Sequence, residues 1–410
     1  MKSPDEMQAQ LHKSFLFPHL ITLGGMGNRP CVPPVLAQFN ELIPELCKLP
    51  YDYVYKTDGK ALAEGALLVW EYLDLDMAFA ILDSYTVEAE SIGAKTNYFE
   101  DHIPDIDRSD FLIKGPEDLD KIKFQGLDSG RYPWAIDYVD TVLDLIGFPA
   151  FPEPCAPWSL ATNLYGMENL LIDCIANPEF VHELMNRIVY DLCVPAILAL
   201  KERFPMVQNF TIADAWCSPP MVTKPIIDEF IEPYLVKLQE ALGDFPFSHA
   251  AVWLPAKKDE NQEALLNLII KYAGSISGFD PEYLTLGMDF YWQTAEKHGL
   301  PWALSVSPQF IYDATPEEAA ARGKLMALAG KNGPMPFSVV LACIPPRVPM
   351  GNVRALIAAI RTYGAPDADE NTPFELPGAG PSFEDFLRGK MANNVEGYSF
   401  DWLAKSGLKL

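Results

Sequence analysis

The sequence predicts an α/β protein: a (β/α)8, TIM-type barrel with an N-terminal helical and irregular extension and a C-terminal tail. Three observations carry that expectation. Short apolar runs alternate with longer helical patterns through the second half of the chain, which implies a parallel sheet with crossover helices. Five such units fit a barrel of ~250 residues with room for insertions, an open doubly wound sheet being the alternative. Each of the five runs also ends on a polar or sulfur side chain capable of chemistry.

Taken in order, residues 62–73 and 74–92 read as helix. Residues 98–107 and 126–134 read as loops rich in Asp, Pro and Gly, and 177–201 as a long helix. The regular part begins with a strand at 209–213 and a turn at Pro219-Pro220. A helix then runs from about Pro225 to Leu242, with Ile227, Ile231, Tyr234, Leu235, Leu238 and Leu242 on one face. Pro233 should kink it and Gly243 end it. Strands follow at 245–248, 275–279, 302–306 and 337–342, separated by helices at 261–272, 283–297 and 316–329. The last unit closes on a helix over 352–363, whose Val353, Leu356, Ile357 and Ile360 repeat at i, i+3, i+4 and i+7. Asn352 reads as its N-cap and Gly364 as its stop. The remainder, 366–410, is polar and rich in Pro. It should wrap the surface, with a short helix near 382–391. No boundary divides the chain, so 1–410 is one domain.

Composition narrows the function. The 410 residues are 49% hydrophobic, enough for a large core. With 31 basic against 56 acidic residues the formal charge is −25, which argues against nucleic acid and gives no support for an anionic membrane surface. No apolar run is long enough to span a bilayer, and the N-terminus lacks the apolar core of a signal peptide. Seven cysteines without a CxxC pair suit a reducing cytoplasm. Gly24-Gly25-Met26-Gly27 is not a dinucleotide fingerprint, and P-loop, GxSxG and HExxH patterns do not occur.

The strand-end residues are Asp214, His249, Asp280, Ser307 and Cys343. Singly, each has an ordinary structural role: cap or turn for the Asp and Ser residues, a satisfied core group for His249, a small buried hydrophobe for Cys343. Jointly they would converge on the mouth of a barrel, where catalytic groups collect.

Several segments carry a resemblance in shared order. Cys155-Ala156-Pro157-Trp158-Ser159-Leu160 looks like a G-x-P-[WF]-[ST]-L segment. Asp214-Ala215-Trp216-Cys217-Ser218-Pro219 looks like a D-x-W…SP segment, and Glu232-Pro233-Tyr234 follows it. Glu88-Ala89-Glu90-Ser91-Ile92-Gly93 resembles an EAE-x-LG region, and 344–364 resembles a closing IPP-x-x-P-x-x-N turn and helix. Together they resemble the uroporphyrinogen decarboxylase superfamily over about 30–365. That superfamily folds as an α/β barrel and includes both decarboxylases and zinc-dependent corrinoid methyltransferases.

The resemblance points to the methyltransferase branch. True decarboxylases carry an Arg-rich N-terminal loop, whereas Arg29 is the sole arginine before Arg108 here. Their tyrosine after the G-x-P segment is replaced by Asn163, with Tyr165 two residues on, and their late histidine by Cys343. The methyltransferase branch binds zinc through an H-x-C pair and a later cysteine. His249 and Cys343 match; the paired cysteine is Ala251, leaving Asp214, Asp280 or Cys217 as third ligand. The implied enzyme moves a methyl group between a small methylated substrate and a corrinoid (cobalamin) protein, with zinc as Lewis acid. Asp214 and His249 are its catalytic residues, His249 and Cys343 its metal ligands. Trp158, Asn163, Tyr165, Trp216 and Asp280 are its substrate contacts. A decarboxylase using Asp214 and a non-catalytic tetrapyrrole-binding barrel are the alternatives. The oligomeric state is open, a homodimer being one arrangement.

Overall fold

The computed structural model describes residue 33 and residues 35–78, 86–147, 154–207, 210–250, 252–333, 335–393 and 397–410. The N-terminal segment with Gly24–Gly27 and Arg29, and also Asn209 and Ala251, lie outside the described residues.

First and last strands pair, and that decides between the two architectures. Strand β1 (Val35–Ala37) lies parallel between β2 (Met77–Ala78) and β9 (Phe337–Leu341), with Leu36 opposite both Met77 and Val340. Next to β9 come β8 (Trp302–Val306) and then β7 (Ile276–Gly278). A second parallel pair joins β5 (Phe210–Ala213) to β6 (Phe247–Ala250), and Cys155 bridges Ala213 on the far side of β5. Chain order thus gives eight parallel positions: β1, β2, Cys155 and β5 to β9. Every pairing found among these positions joins neighbours in this order, and the last strand returns to the first. An open doubly wound sheet would not make that contact. Among the described residues, no ladder crosses the β6/β7 seam or the seam between β2 and Cys155. The small strands β3 (Thr96–Asn97) and β4 (Asp105–Ile106) form a separate antiparallel pair.

The residues of β8 are all buried, as expected for a parallel strand covered on both faces. Behind it, the helix Pro316–Asn332 opens with a capping box of Thr315 and Glu318. This helix packs along the helix Met350–Gly364. At the crossing a Cβ on Gly323 would lie 2.6 Å from the Leu356 carbonyl oxygen, so only glycine allows the approach.

Several expectations change. Asn352 does not cap the last helix. That helix starts at Met350 after Pro349, and the buried Asn352 amide instead donates to the carbonyls of Ile311 and Ala314. Among its described residues the 74–92 segment contains strand β2 and a helix only at Val87–Ser91. The 283–297 helix breaks at Gly287, where φ is +87°. The long helix after Asn177 runs on to Arg203 through a π-helical segment, Ile188–Cys193. A second π segment, Ile227–Ile231, precedes Pro233, and the wider turn absorbs the kink the proline imposes. Strand β6 lies two residues later than expected, which places His249 inside the strand, opposite Ile212.

The tail is fastened to the barrel. Its helix, Phe383–Ala392, is capped by Ser382. Beyond it, the buried Glu64 carboxylate accepts from the backbone N–H groups of Ser399 (2.8 Å) and Phe400 (3.0 Å) and from Trp402 Nε1 (3.0 Å). Among the described residues no helix is long and apolar enough to cross a membrane.

Candidate active site

Asp214 is the first residue after β5, and its backbone N–H donates to the Ala250 carbonyl of β6 at 3.0 Å. That bond turns its carboxylate toward two neighbours. On one side lies the helix Pro157–Tyr165, which follows Cys155. Pro157 needs no partner at the first helical position, but Ala156 at the N-cap has no side chain to bind the free N–H groups. Asp214 supplies the missing cap from another strand. Its Oδ1 accepts from Ser159 N at 3.0 Å and from Ser159 Oγ at 2.6 Å. Ser159 Oγ in turn accepts from Trp216 N at 3.2 Å.

On the other side Asp214 Oδ2 lies 2.8 Å from His249 Nε2, and both side chains are buried. A buried carboxylate accepts and does not donate. The contact therefore assigns the proton of the neutral ring to Nε2 and leaves a lone pair on Nδ1. Nδ1 is buried and has no hydrogen-bond partner among the described residues. An imidazole held by a carboxylate at one nitrogen, with its other nitrogen open, can act as a base, as an acid once protonated, or as a metal ligand.

The other expected site residues divide. Trp158 and Trp216 stay with this group. Trp158 Nε1 donates to the Trp216 carbonyl at 3.3 Å, and Arg108 lies over the Trp216 ring at 5.1 Å. Asn163 is fully buried in the same helix. Tyr165, at the helix end, donates its hydroxyl to Asp173 at 2.5 Å and packs edge-on against Phe180, a structural environment. Asp280 is also engaged: its Oδ2 receives Arg322 Nη1 at 2.9 Å, and the same nitrogen donates to the Tyr283 hydroxyl at 2.9 Å. This ties the end of β7 to the 316–332 helix. Ser307 caps the short helix Pro308–Asp313 through Phe310 N.

Cys343 follows β9, between Ala342, which donates to Val306 of β8, and Ile344, which donates to Gln38 beyond β1. Burial, helped by the Glu41 charge, pushes its thiol up to about 11. Cys217 lies directly under Asp214, its N–H donating to the Asp214 carbonyl at 2.8 Å. Its thiol is driven well up by burial and then by Asp214. Among the described residues no group of three His, Cys, Asp or Glu side chains could hold a metal ion. His249 and Cys343 are thus not joined by a third ligand there.

Ser159 is the member of this hydrogen-bonded group that sequence reasoning passed over. Its signal was the [ST] position of the Cys155–Leu160 segment, read there only as part of a motif.

Comparison with known proteins agrees with this architecture. Residues 51–363 match the family model described as uroporphyrinogen decarboxylase (URO-D). No curated protein sequence matches the chain. Among solved structures, a methyltransferase from Methanosarcina mazei superimposes with a TM-score of 0.64 at 17% identity, covering 84% of this chain and 98% of its own. At that identity the likeness is one of fold.

Proposed function

The chain belongs to the uroporphyrinogen decarboxylase family, and within it we propose a methyltransferase. It would move a methyl group between a small methylated substrate, such as a methoxyaromatic or a methyl thioether, and a corrinoid carried by a partner protein. The observation that carries this reading is His249, fixed by Asp214 at Nε2 and open at Nδ1. The fold neighbour's description as a methyltransferase adds support.

The corrinoid supplies the centre that takes the methyl group. The rest falls to this chain. As the bond between methyl carbon and heteroatom breaks, its electron pair stays on the heteroatom. A protonated His249 gives that atom the proton on Nδ1, and Asp214 stabilises the imidazolium beforehand. In the reverse direction Nδ1 removes the proton. Ser159 holds the carboxylate in place, and Trp158 and Trp216 supply apolar surface. A decarboxylase acting on a polyacidic tetrapyrrole would need clustered free cations. Arg108, beside Trp216, is already paired with Asp105 at 2.7 Å.

A zinc Lewis acid is a separate proposal. His249 suits it, since ligating imidazoles commonly donate their other N–H to a carboxylate. The full ligand set does not fit: the described residues do not assemble three donors, so no step is routed through the metal. Bound zinc measured in wild type and Cys343→Ala tests it. Stoichiometric zinc lost in the variant would restore the metal to the mechanism; negligible zinc in both would remove it. The methyl-transfer reading is tested by incubating the protein and a reduced corrinoid with a panel of methyl ethers and thioethers carrying isotope-labelled methyl groups. Label should reach the corrinoid in wild type and not in His249→Ala.

A further inference from the structure

The loop after β4 reaches back to the site and lays a cation on one of its rings. Asp105, in β4, accepts from Arg108 Nε at 3.2 Å and from Arg108 Nη2 at 2.7 Å, so two parallel bonds grip the guanidinium. Such a fork fixes the plane of the group as well as its position. The same guanidinium lies over the Trp216 ring, its carbon 5.1 Å from the ring centroid.

The loop is fastened on both sides of Arg108. Before it, Asp107 donates its backbone N–H to the Lys95 carbonyl at 2.7 Å, and its carboxylate pairs with the Lys95 ammonium at 2.8 Å. That carboxylate also accepts from Ser109 N and Ser109 Oγ. Beyond it, Ile113 N donates to the Leu164 carbonyl at 3.0 Å, and the Phe111 ring lies against Gly166, where a Cβ would come within 2.6 Å of it. Leu164 lies in the helix Pro157–Tyr165, which carries Trp158 and Ser159, and Gly166 ends that helix.

Trp216 is held separately at its backbone and at its ring. Its N–H donates to Ser159 Oγ at 3.2 Å, and its carbonyl accepts from Trp158 Nε1 at 3.3 Å. Both bonds hold the main chain, and neither fixes the indole. What lies on the face of the indole is Arg108. The Arg108 and Asp105 side chains are 37% and 48% exposed, and an ion pair so exposed adds little to stability. A forked grip that adds little stability, yet aims its cation at a ring of the site, is accounted for by the placing of that ring.

We propose that Arg108 is a positioning residue. Mounted beside the β3–β4 hairpin and gripped by Asp105, it clamps the Trp216 indole in the orientation in which the ring lines the substrate site. This rests on the reading of Trp216 as apolar surface for the substrate beside Asp214 and His249. With the clamp removed the indole samples other rotamers, and substrate binds only the fraction of molecules with the ring in place. Arg108 thus acts on binding through Trp216 and touches no reacting atom.

Fluorine NMR of the full-length chain labelled with 5-fluorotryptophan tests the clamp without requiring any methyl transfer. Each of the 8 tryptophans gives one resonance, and the one lost in Trp216→Phe belongs to Trp216. In Arg108→Ala that resonance should move toward its position in the urea-unfolded chain while the others stay in place. Arg108→Lys, which keeps a cation without the fork, and Asp105→Asn, which keeps the arginine without its ion pair, should move it by less. Thermal melting identifies a variant that has lost its fold; should Arg108→Ala be one, Arg108→Lys and Asp105→Asn carry the same test. An unmoved Trp216 resonance in a folded variant, or equal movement of the other tryptophans, would overturn the clamp. With a methyl ether that is turned over, KM in Arg108→Ala should rise about two- to fivefold, the range of an exposed cation–π contact, and kcat should change less. An unchanged KM would overturn the role in binding. A Trp216 resonance that moves as expected in a protein that transfers no methyl group would leave the clamp standing and refute the proposed activity alone.

Discussion

Replacing Asp214 separates its structural role from its chemical one. In Asp214→Ala three buried donors lose their acceptor: Ser159 N–H, Ser159 O–H and His249 Nε2–H. The helix Pro157–Tyr165 also loses the cap that Ala156 cannot provide. Each stranded donor costs about 1–3 kcal/mol, and breaking a buried pair about 3–5 kcal/mol. Since water or a rotated hydroxyl recovers part of this, the net loss is about 3–5 kcal/mol, a large share of a total of about 5–15 kcal/mol. Asp214→Asn should behave differently. Its amide oxygen can keep both Ser159 donors, while its NH₂ faces His249 Nε2. The ring must then accept at Nε2 and carry its proton on Nδ1, at a stability cost of about 1–2 kcal/mol. Urea unfolding followed by tryptophan fluorescence gives the stabilities, and ¹⁵N chemical shifts of the imidazole give the tautomer. An Asp214→Ala protein within about 1 kcal/mol of wild type, or an Asp214→Asn ring with its proton still on Nε2, would contradict the capping and pairing roles of Asp214.

Other perturbations test the surrounding structure. Ser159→Ala should cost about 1–2 kcal/mol and loosen the carboxylate, and Ser159→Thr should restore both, read by urea unfolding and by the His249 ¹⁵N linewidth. Asp280→Ala should destabilise by about 3–5 kcal/mol, because the largely buried Arg322 loses its counter-ion; a change below about 1 kcal/mol would contradict the pairing. Glu64→Ala should free the tail, so that limited proteolysis cuts before Trp402 while the rest of the chain resists. Cys343 in metal-free protein should be alkylated slowly at pH 7. Its raised pKa keeps the neutral thiol folded-in up to about 11, and reactivity should climb only as pH approaches that value. Labelling at pH 7 as fast as a peptide cysteine would contradict the burial.

The second half of the fold was legible because its periodicity is strong. Trp302–Val306 emerges as expected, and Phe337–Leu341 and the closing helix differ only at their ends. The first half hid its strands. β2 has two residues inside a run that patterns as helix, and position three is the single bridge at Cys155. Such strands are held by neighbours, not by their own pattern. In the site, Asp214 and His249 were visible as strand-end polar residues, but their pairing was not. It depends on a register that sets Ile212 opposite His249, two residues from where the apolar run suggested. Asn352 shows the same limit. It has the chemistry of an N-cap, yet serves as a buried donor to another segment's carbonyls. The bonds of Asp280 to Arg322 and of Tyr165 to Asp173 had no local signal either, since each partner lies in another element.

The proposed chemistry turns on one nitrogen, His249 Nδ1. Its most direct test is the rate of labelled-methyl transfer from a methyl ether to a reduced corrinoid, in wild type and in His249→Ala matched for folding by circular dichroism and melting. Wild type should transfer the methyl group and the variant should lose about 10²–10⁴-fold, the range for a removed general acid–base. Equal rates in both, or no transfer by wild type to any corrinoid offered, would contradict it.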